Sequence, residues 1–362
     1  MKKEFIKYYH FEDDLQKYPD AWCYIVWSKR GPGKTYSSLW YSYSNNIPII
    51  YMKRTNDDVD LICQHDDYGF DASPYVPLNR DKHINVKARK ISNGLGGFWK
   101  NIQTDDEKEI PDGLPVSYCL SLNAVKKYKG FDFSRCDWII LDEFIPQLGE
   151  RISRKEGERL LDLYMTVARD RQKRGRDPLK LVLFANAEEI STPVTNTLEV
   201  VDIMADLNAS KQTHFYDEKR GILLHHITNE EIPISDKEKS GIYNAMIDTA
   251  WGKKSFEGEF ANNDFSNVQK MSIRGMSPFI HIHVNTHDYY IYLNKNTGKY
   301  YVCSTRGKCL FDYDLNKEND QKLFYIEHDI DLWQACIEGR VKFEKYSMYD
   351  LIMNYKKFYN IY

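Results

Sequence analysis

Ser28-Lys29-Arg30-Gly31-Pro32-Gly33-Lys34-Thr35 follows directly on an apolar run at 22–27. A buried strand can carry such a loop to its edge, where glycines let backbone N–H groups curl around phosphate oxygens and the next helix, expected over 36–43, points its positive end at them. In that reading the loop binds ATP, Lys34 holds the β- and γ-phosphates, and Thr35 shares in holding Mg2+. The strict pattern has Gly where Ser28 stands, and a Gly-Pro-Gly turn is also ordinary punctuation between strand and helix.

The run 136–143 adds a second signal, a hydrophobic strand closed by Asp142 and Glu143. Sheets of the layered α/β kind present acids at the carboxyl ends of their strands. Asp142 supports the metal, and the acid beside it, Glu143, is suited to orient and polarise the water that attacks the γ-phosphate. The plainer alternative is a strand followed by a solvated acidic turn. More than a hundred residues separate Lys34 from Asp142, which leaves room for extra strands between the two motifs.

The elements that must position these groups follow from the pattern. Strands are expected over 47–52, 115–122, 179–186 and 221–228, a hairpin over 84–91 and 98–102, and a helix over 155–173. Strand and helix alternate, so the fold class is α/β. A polar stretch with helical spacing at Ile242, Met246 and Ile247 reads as a connector over 235–265. Beyond it, short strands are expected over 279–284, 289–293, 299–303 and 323–326, separated by turns. The division is therefore 1–234, a connector, and a β-rich domain over 266–362.

The chain has 362 residues, 50 basic and 53 acidic, with net charge −3, so a surface for nucleic acid has to be local rather than global. No apolar stretch approaches a bilayer span, and the first five residues lack a signal-peptide core, so a soluble intracellular protein is expected. Seven scattered cysteines without a Cys-x-x-Cys pair argue against a zinc ribbon or a disulfide framework.

Other groups carry a sharp and a plain reading each. The basic run 169–176 is either a solvated helix end or the source of an arginine finger, for which only Arg169 is needed. Asn186 either senses the γ-phosphate or caps the next turn. Lys53, Arg54, Lys126, Lys127 and Lys129 are ordinary surface cations singly, and together could line a channel that tracks phosphate backbones. His281, His283 and His287 read as structural. Asp288, Asp312, Asp314, Asp329 and Asp331 read as turn residues, none placed inside a strand as a two-metal nuclease requires.

The order of motifs resembles the DNA-packaging (encapsidation) ATPases of small short-tailed bacteriophages, relatives of the large terminase subunits. The resemblance rests on Gly31-Pro32-Gly33-Lys34-Thr35, Tyr51-Met52-Lys53-Arg54, Lys129-Gly130, Asp142-Glu143-Phe144-Ile145, Thr166-Val167-Ala168-Arg169-Asp170-Arg171 and Phe184-Ala185-Asn186-Ala187. It covers 22–190 well and is thin beyond 235. It implies a P-loop NTPase domain of the additional-strand, catalytic-glutamate type, followed by an RNase H-like domain that has lost its nuclease acids. It implies, further, a homo-oligomeric ring, pentameric in the best-known members, that docks on the capsid portal assembly and drives double-stranded DNA inward, in some members with a structural RNA. Such a protein works in the cytoplasm of the infected bacterial host and transiently at the portal vertex. Arg169 falls on the family's trans-acting finger, and Lys129 on a lysine that couples hydrolysis to neighbours or DNA. The alternatives are a helicase-like or terminase-like ATPase outside packaging, and a nucleotide-switched scaffold; a pure switch would have no use for Glu143.

Overall fold

A computed structural model describes residues 7–65, 69–104, 109–147, 149–150, 152–235, 238–239 and 241–359. The expected absence of a signal core at the first five residues lies outside these. The chain forms two compact units, the first running to Leu198 and resuming over Asp206–Asn262, the second taking Glu199–Ala205 and everything from Asn263. The stretch expected as a separate connector therefore folds mostly with the first unit, as short helices at Ile242–Met246 and Ala250–Gly252.

In the first unit the described strands are β1 (Cys23–Ser28), β2 (Ile49–Lys53), β3 (Val86–Ser92), β4 (Leu95–Gln103), β5 (Glu109–Pro111), β6 (Ser117–Ser121), β7 (Trp138–Asp142), β8 (Lys180–Asn186), β9 (His214–Asp217) and β10 (Ile222–Ile227). They join in the order β3-β4-β6-β2-β7-β8-β1-β10-β9, with β5 paired to β4. The centre from β6 to β10 is parallel, whereas the outer pairs β3–β4, β4–β6 and β9–β10 are antiparallel. All six residues of β1 are buried, as a strand covered on both faces requires. Phe11, on the helix Phe11–Lys17, packs edge-on against Tyr24, Trp138 and Phe184 at 5.6–5.8 Å and so fixes the leading segment to the sheet. Truncating so buried a ring to Ala costs about 3–5 kcal/mol.

The expected helix over 155–173 ends earlier, running Glu156–Ala168. Arg169 has extended ψ, and Asp170 adopts φ +59°. That turn brings Arg171 back inward, where it is buried and donates to Asp137 and to the Cys136 carbonyl. Satisfying this cation against the start of β7 wins over continuing the helix.

The second unit holds β11 (Ser277–Val284), β12 (His287–Asn294), β13 (Lys299–Cys303), β14 (Phe311–Asp314) and β15 (Val341–Phe343), in the order β14-β11-β12-β13-β15. Ile280, Ile282, Ile291, Val302 and Phe343 form its core with residues of the helices Glu318–Phe324, Ile330–Ile337 and Tyr346–Met353. Two expectations are corrected. Residues 323–326 are helical, because Phe324 and Leu332 reach the core from a helical face while Leu323 and Ile326 stay exposed. Asp288, Asp312 and Asp314 lie inside strands, Asp312 and Asp314 alternating with the inward Tyr313. His281 bridges Asp312 (2.8 Å) and Asp288 (3.0 Å), and Asp288 also pairs with His283 at 2.8 Å.

Candidate functional site

Register assembles the site. Ser28 at the end of β1 lies beside Asn186 at the end of β8, and Asp142 at the end of β7 lies beside Phe184. The carboxyl ends of β1, β8, β7 and β2 thus converge at one edge, where an open parallel sheet binds ligands. The loop after β1 turns at Gly31 (φ +84°) and Gly33 (φ +98°), and a Cβ at Gly31 would face open space. Gly33 caps the eleven-residue helix Lys34–Ser44, whose first N–H groups have no partner within the helix. These are the features of an anion cradle.

Lys34 is buried and donates to Ser28 Oγ and, at 3.5 Å, to Asn186 Oδ1. Burial pushes its amine down to about 8, against the opposing pull of Asp142 and Glu143. The serine in place of glycine is accommodated because its hydroxyl turns back onto the loop, donating to the Lys29 carbonyl at 2.5 Å.

Asp142 collects the rest. Its Oδ2 accepts from Thr35 Oγ1 (3.1 Å), the Tyr51 hydroxyl (2.7 Å) and Lys53 Nζ (3.4 Å). Its Oδ1 accepts the Glu143 N–H at 3.1 Å. A hydroxyl and a carboxylate facing each other are oxygen ligands of the type Mg2+ prefers. Glu143 has φ +57°, a left-handed backbone that a non-glycine residue keeps only where its surroundings impose it. The Phe144 N–H donates to the Phe184 carbonyl at 3.0 Å, and Lys53 pairs with the Glu143 carboxylate at 2.9 Å.

Several expected site residues stand elsewhere. Lys29 turns away from the loop and donates to Asn229 (2.8 Å) and the Ile232 carbonyl (3.0 Å), and Arg30 is exposed with Glu188 at 4.0 Å. Arg54, grouped above with the phosphate-tracking cations, is instead buried. It pairs with Glu156 and Glu150 and donates to the Phe144 carbonyl at 2.7 Å, bracing the turn after Glu143. Lys53 likewise points into the carboxylates, which raise its amine although burial works the other way. Tyr51, named above within the resemblance motif, had no role of its own because a tyrosine inside an apolar strand looks like core. Burial and then Asp142 raise its hydroxyl well above the usual range.

Lys126 and Lys127 are exposed on the 3-10 turn Leu122–Tyr128, and Lys129 at its end pairs with Asp162 at 3.1 Å. Lys129, Gly130, Thr166, Arg169, Asp170 and Arg174 line an open groove of about 330 Å³. The Arg169 side chain is 83% exposed, with Asp170 beside it at 3.9 Å. None of the residues that converge on the phosphate loop lines this groove.

Among the described residues no helix is long and apolar enough to cross a membrane. No protein-family model and no curated protein matches the chain. Among solved structures the fold is similar to the Phi-28 gp11 DNA packaging motor, with TM-score 0.60 and 15% identity over 93% of this chain and 94% of that one. It is similar as well to a chain of the bacteriophage Phi-29 viral genome packaging motor assembly, with TM-score 0.62 and 14% identity over 97% of this chain and 98% of that one. At such identities the likeness is one of fold, and it extends over nearly the whole length of all three chains.

Proposed function

We propose that the protein is the ATPase of a viral genome-packaging motor, which hydrolyses ATP to translocate double-stranded DNA into a preformed capsid. The observation that carries this reading is the convergence of Lys34, Thr35, Asp142, Glu143 and Asn186 at one sheet edge, in a chain whose fold follows two packaging motors almost end to end. One strand, β8, stands between the loop-bearing β1 and the acidic β7. That order supports a P-loop NTPase of the additional-strand type, in which the acid after the metal-supporting Asp activates water. The second unit, with β14 added in parallel beside the β11–β12–β13 meander, supports an RNase H-like fold, and in this reading it is the part that contacts nucleic acid and the portal.

Lys34 would engage the β- and γ-phosphates, and the N–H groups of the loop and the first helical turn would donate to their oxygens. Thr35 and Asp142 would hold Mg2+, which would supply charge neutralisation during phosphoryl transfer. Tyr51 and Lys53 hold Asp142 in place. Glu143 orients the attacking water and takes its proton, with its carboxylate aimed by the left-handed backbone and by Lys53. Asn186, in reach of Lys34, reports whether the γ-phosphate is present. Arg169 acts across an interface, completing the site of the next subunit in a ring. Lys126, Lys127 and Lys129 remain as the exposed cations that could follow DNA phosphates.

ATPase activity of the purified chain with and without double-stranded DNA and empty capsids tests the proposal. Strong stimulation only when DNA and capsids are both present is expected. Full stimulation by DNA alone would favour a helicase-like enzyme, and absence of hydrolysis under every condition would refute the reading.

A further inference from the structure

Away from the phosphate loop, β9 and β10 place two histidines opposite each other, His214 and His225, in antiparallel register. Their rings stack with centroids 3.8 Å apart, and both present an edge to Asp14 on the helix Phe11–Lys17. His225 Nδ1 lies 2.8 Å from Asp14 Oδ2, and His214 Nε2 lies 3.5 Å from Asp14 Oδ1. One ligand atom from each of the three residues falls within 4.8 Å of the others. Asp14 and His225 are buried and His214 is partly exposed, so an ion has a route in.

The far nitrogen of each ring is already occupied. His225 Nε2 is 2.9 Å from Glu231 Oε2, and His214 Nδ1 is 2.9 Å from Thr213 Oγ1. Metal-ligating histidines are held in this way, the outer N–H on an oxygen acceptor and the inner lone pair turned to the ion. Two imidazole nitrogens and a carboxylate gather here; the stacked rings must turn apart for both lone pairs to reach one ion, which then takes the place of the proton His225 shares with Asp14. The Tyr9 hydroxyl, donating to Asp14 Oδ2 at 2.6 Å, stands next to them as a source of a further oxygen.

We propose that Asp14, His214 and His225 form a structural site for Zn2+ or a similar borderline transition-metal ion, with Tyr9 or a water as fourth ligand. Nitrogen and oxygen donors of this mixture suit zinc. Tetrahedral zinc sets its ligand atoms about 3.3 Å apart given bonds of about 2.0–2.1 Å, so on binding Asp14 and His225 would separate by about half an ångström and the partly exposed His214 ring would rotate out of its stack. The ion would join residues some two hundred positions apart in sequence. It would also steady the phosphate loop, because the Tyr9 N–H donates to the Pro32 carbonyl at 2.9 Å. The site does not depend on the packaging reading.

The test uses the full-length chain, stripped with EDTA, reconstituted with zinc and desalted, with bound metal measured by mass spectrometry. One zinc per chain is expected, with a melting temperature several degrees above that in EDTA. Cobalt in its place should give the intense visible absorption of a four-coordinate nitrogen and oxygen site. His214→Ala removes a ligand from the exposed side. It should weaken zinc binding by on the order of a hundredfold while leaving the melting temperature in EDTA near that of the unsubstituted chain. His281→Ala, in the second unit, should retain zinc. No stoichiometric zinc in the reconstituted chain, or undiminished binding by His214→Ala, would overturn the proposal, and neither result depends on ATP hydrolysis.

Discussion

The phosphate-loop edge and the Arg169 groove are built in opposite ways. At the first, Lys34, Thr35, Tyr51, Lys53, Asp142 and Asn186 hydrogen-bond to one another, so each side chain is aimed by its neighbours before any ligand arrives. At the second, Arg169 projects into solvent from the end of a helix, beside Lys129 and Arg174 and with Asp170 as its one ion-pair partner among the described residues. A preorganised site can bind and position; an exposed guanidinium acts only when something else is brought to it. The contrast suits an enzyme whose catalytic set is divided between subunits.

The comparison can be broken at either end. Arg169→Ala should lower ATPase turnover in the assembled ring by about a thousandfold, with melting temperature nearly unchanged because the side chain is largely exposed. A large drop in stability would mean the groove is structural after all. Arg54→Ala should do the reverse in kind, destabilising the first unit by about 3–5 kcal/mol because it leaves Glu156 buried without its cation. Burial already raises the Glu156 carboxyl although Arg54 opposes it, which marks how dependent that acid is on its partner. Chemical denaturation measures this directly.

Glu143→Gln should keep ATP affinity and lose hydrolysis by on the order of a hundredfold or more, separating orientation of water from binding. Equilibrium binding and single-turnover rates on the same preparation check it. The smallest effect is the dependence on pH. The Lys34 amine in the free protein loses its proton near 8, below the ordinary lysine range, and phosphate requires the charged form. ATP binding should therefore take up a proton above that pH, and affinity should weaken by about tenfold between pH 7 and pH 9. Affinity that stays flat to pH 10 would show that the buried amine holds its proton more firmly than its surroundings imply.

Much of the first unit could be read from residues alone, because a buried parallel strand is a continuous apolar run and its motif sits at the run's end. Residues 22–28 and 136–143 announce both the strands and the loops they carry. Tyr51 and Lys53 could not be assigned that way. Their partner, Asp142, sits on the neighbouring strand β7, so only the β2–β7 pairing reveals that a core-like tyrosine and a surface-like lysine share one carboxylate. Arg54 and Arg171 show the same limit for charge, since a cation buried against carbonyls and acids has the same letter as one in solvent. In the second unit, periodicity itself was ambiguous. Residues 323–326 are apolar on both faces, and Phe311-Asp312-Tyr313-Asp314 carries its strand signal in only four residues, too few to outweigh two acids that read as a turn. His214 and His225 are eleven positions apart in a hairpin and far from Asp14, a grouping without a recognisable ligand spacing.

Division of the active site between subunits is the central claim, and mixing two inactive variants tests it most directly. Arg169→Ala and Glu143→Gln subunits, each inactive alone, should regain ATPase activity when assembled together, because some interfaces then pair an intact Glu143 site with an intact Arg169. Confirmed mixed rings that remain as inactive as either parent would contradict the account.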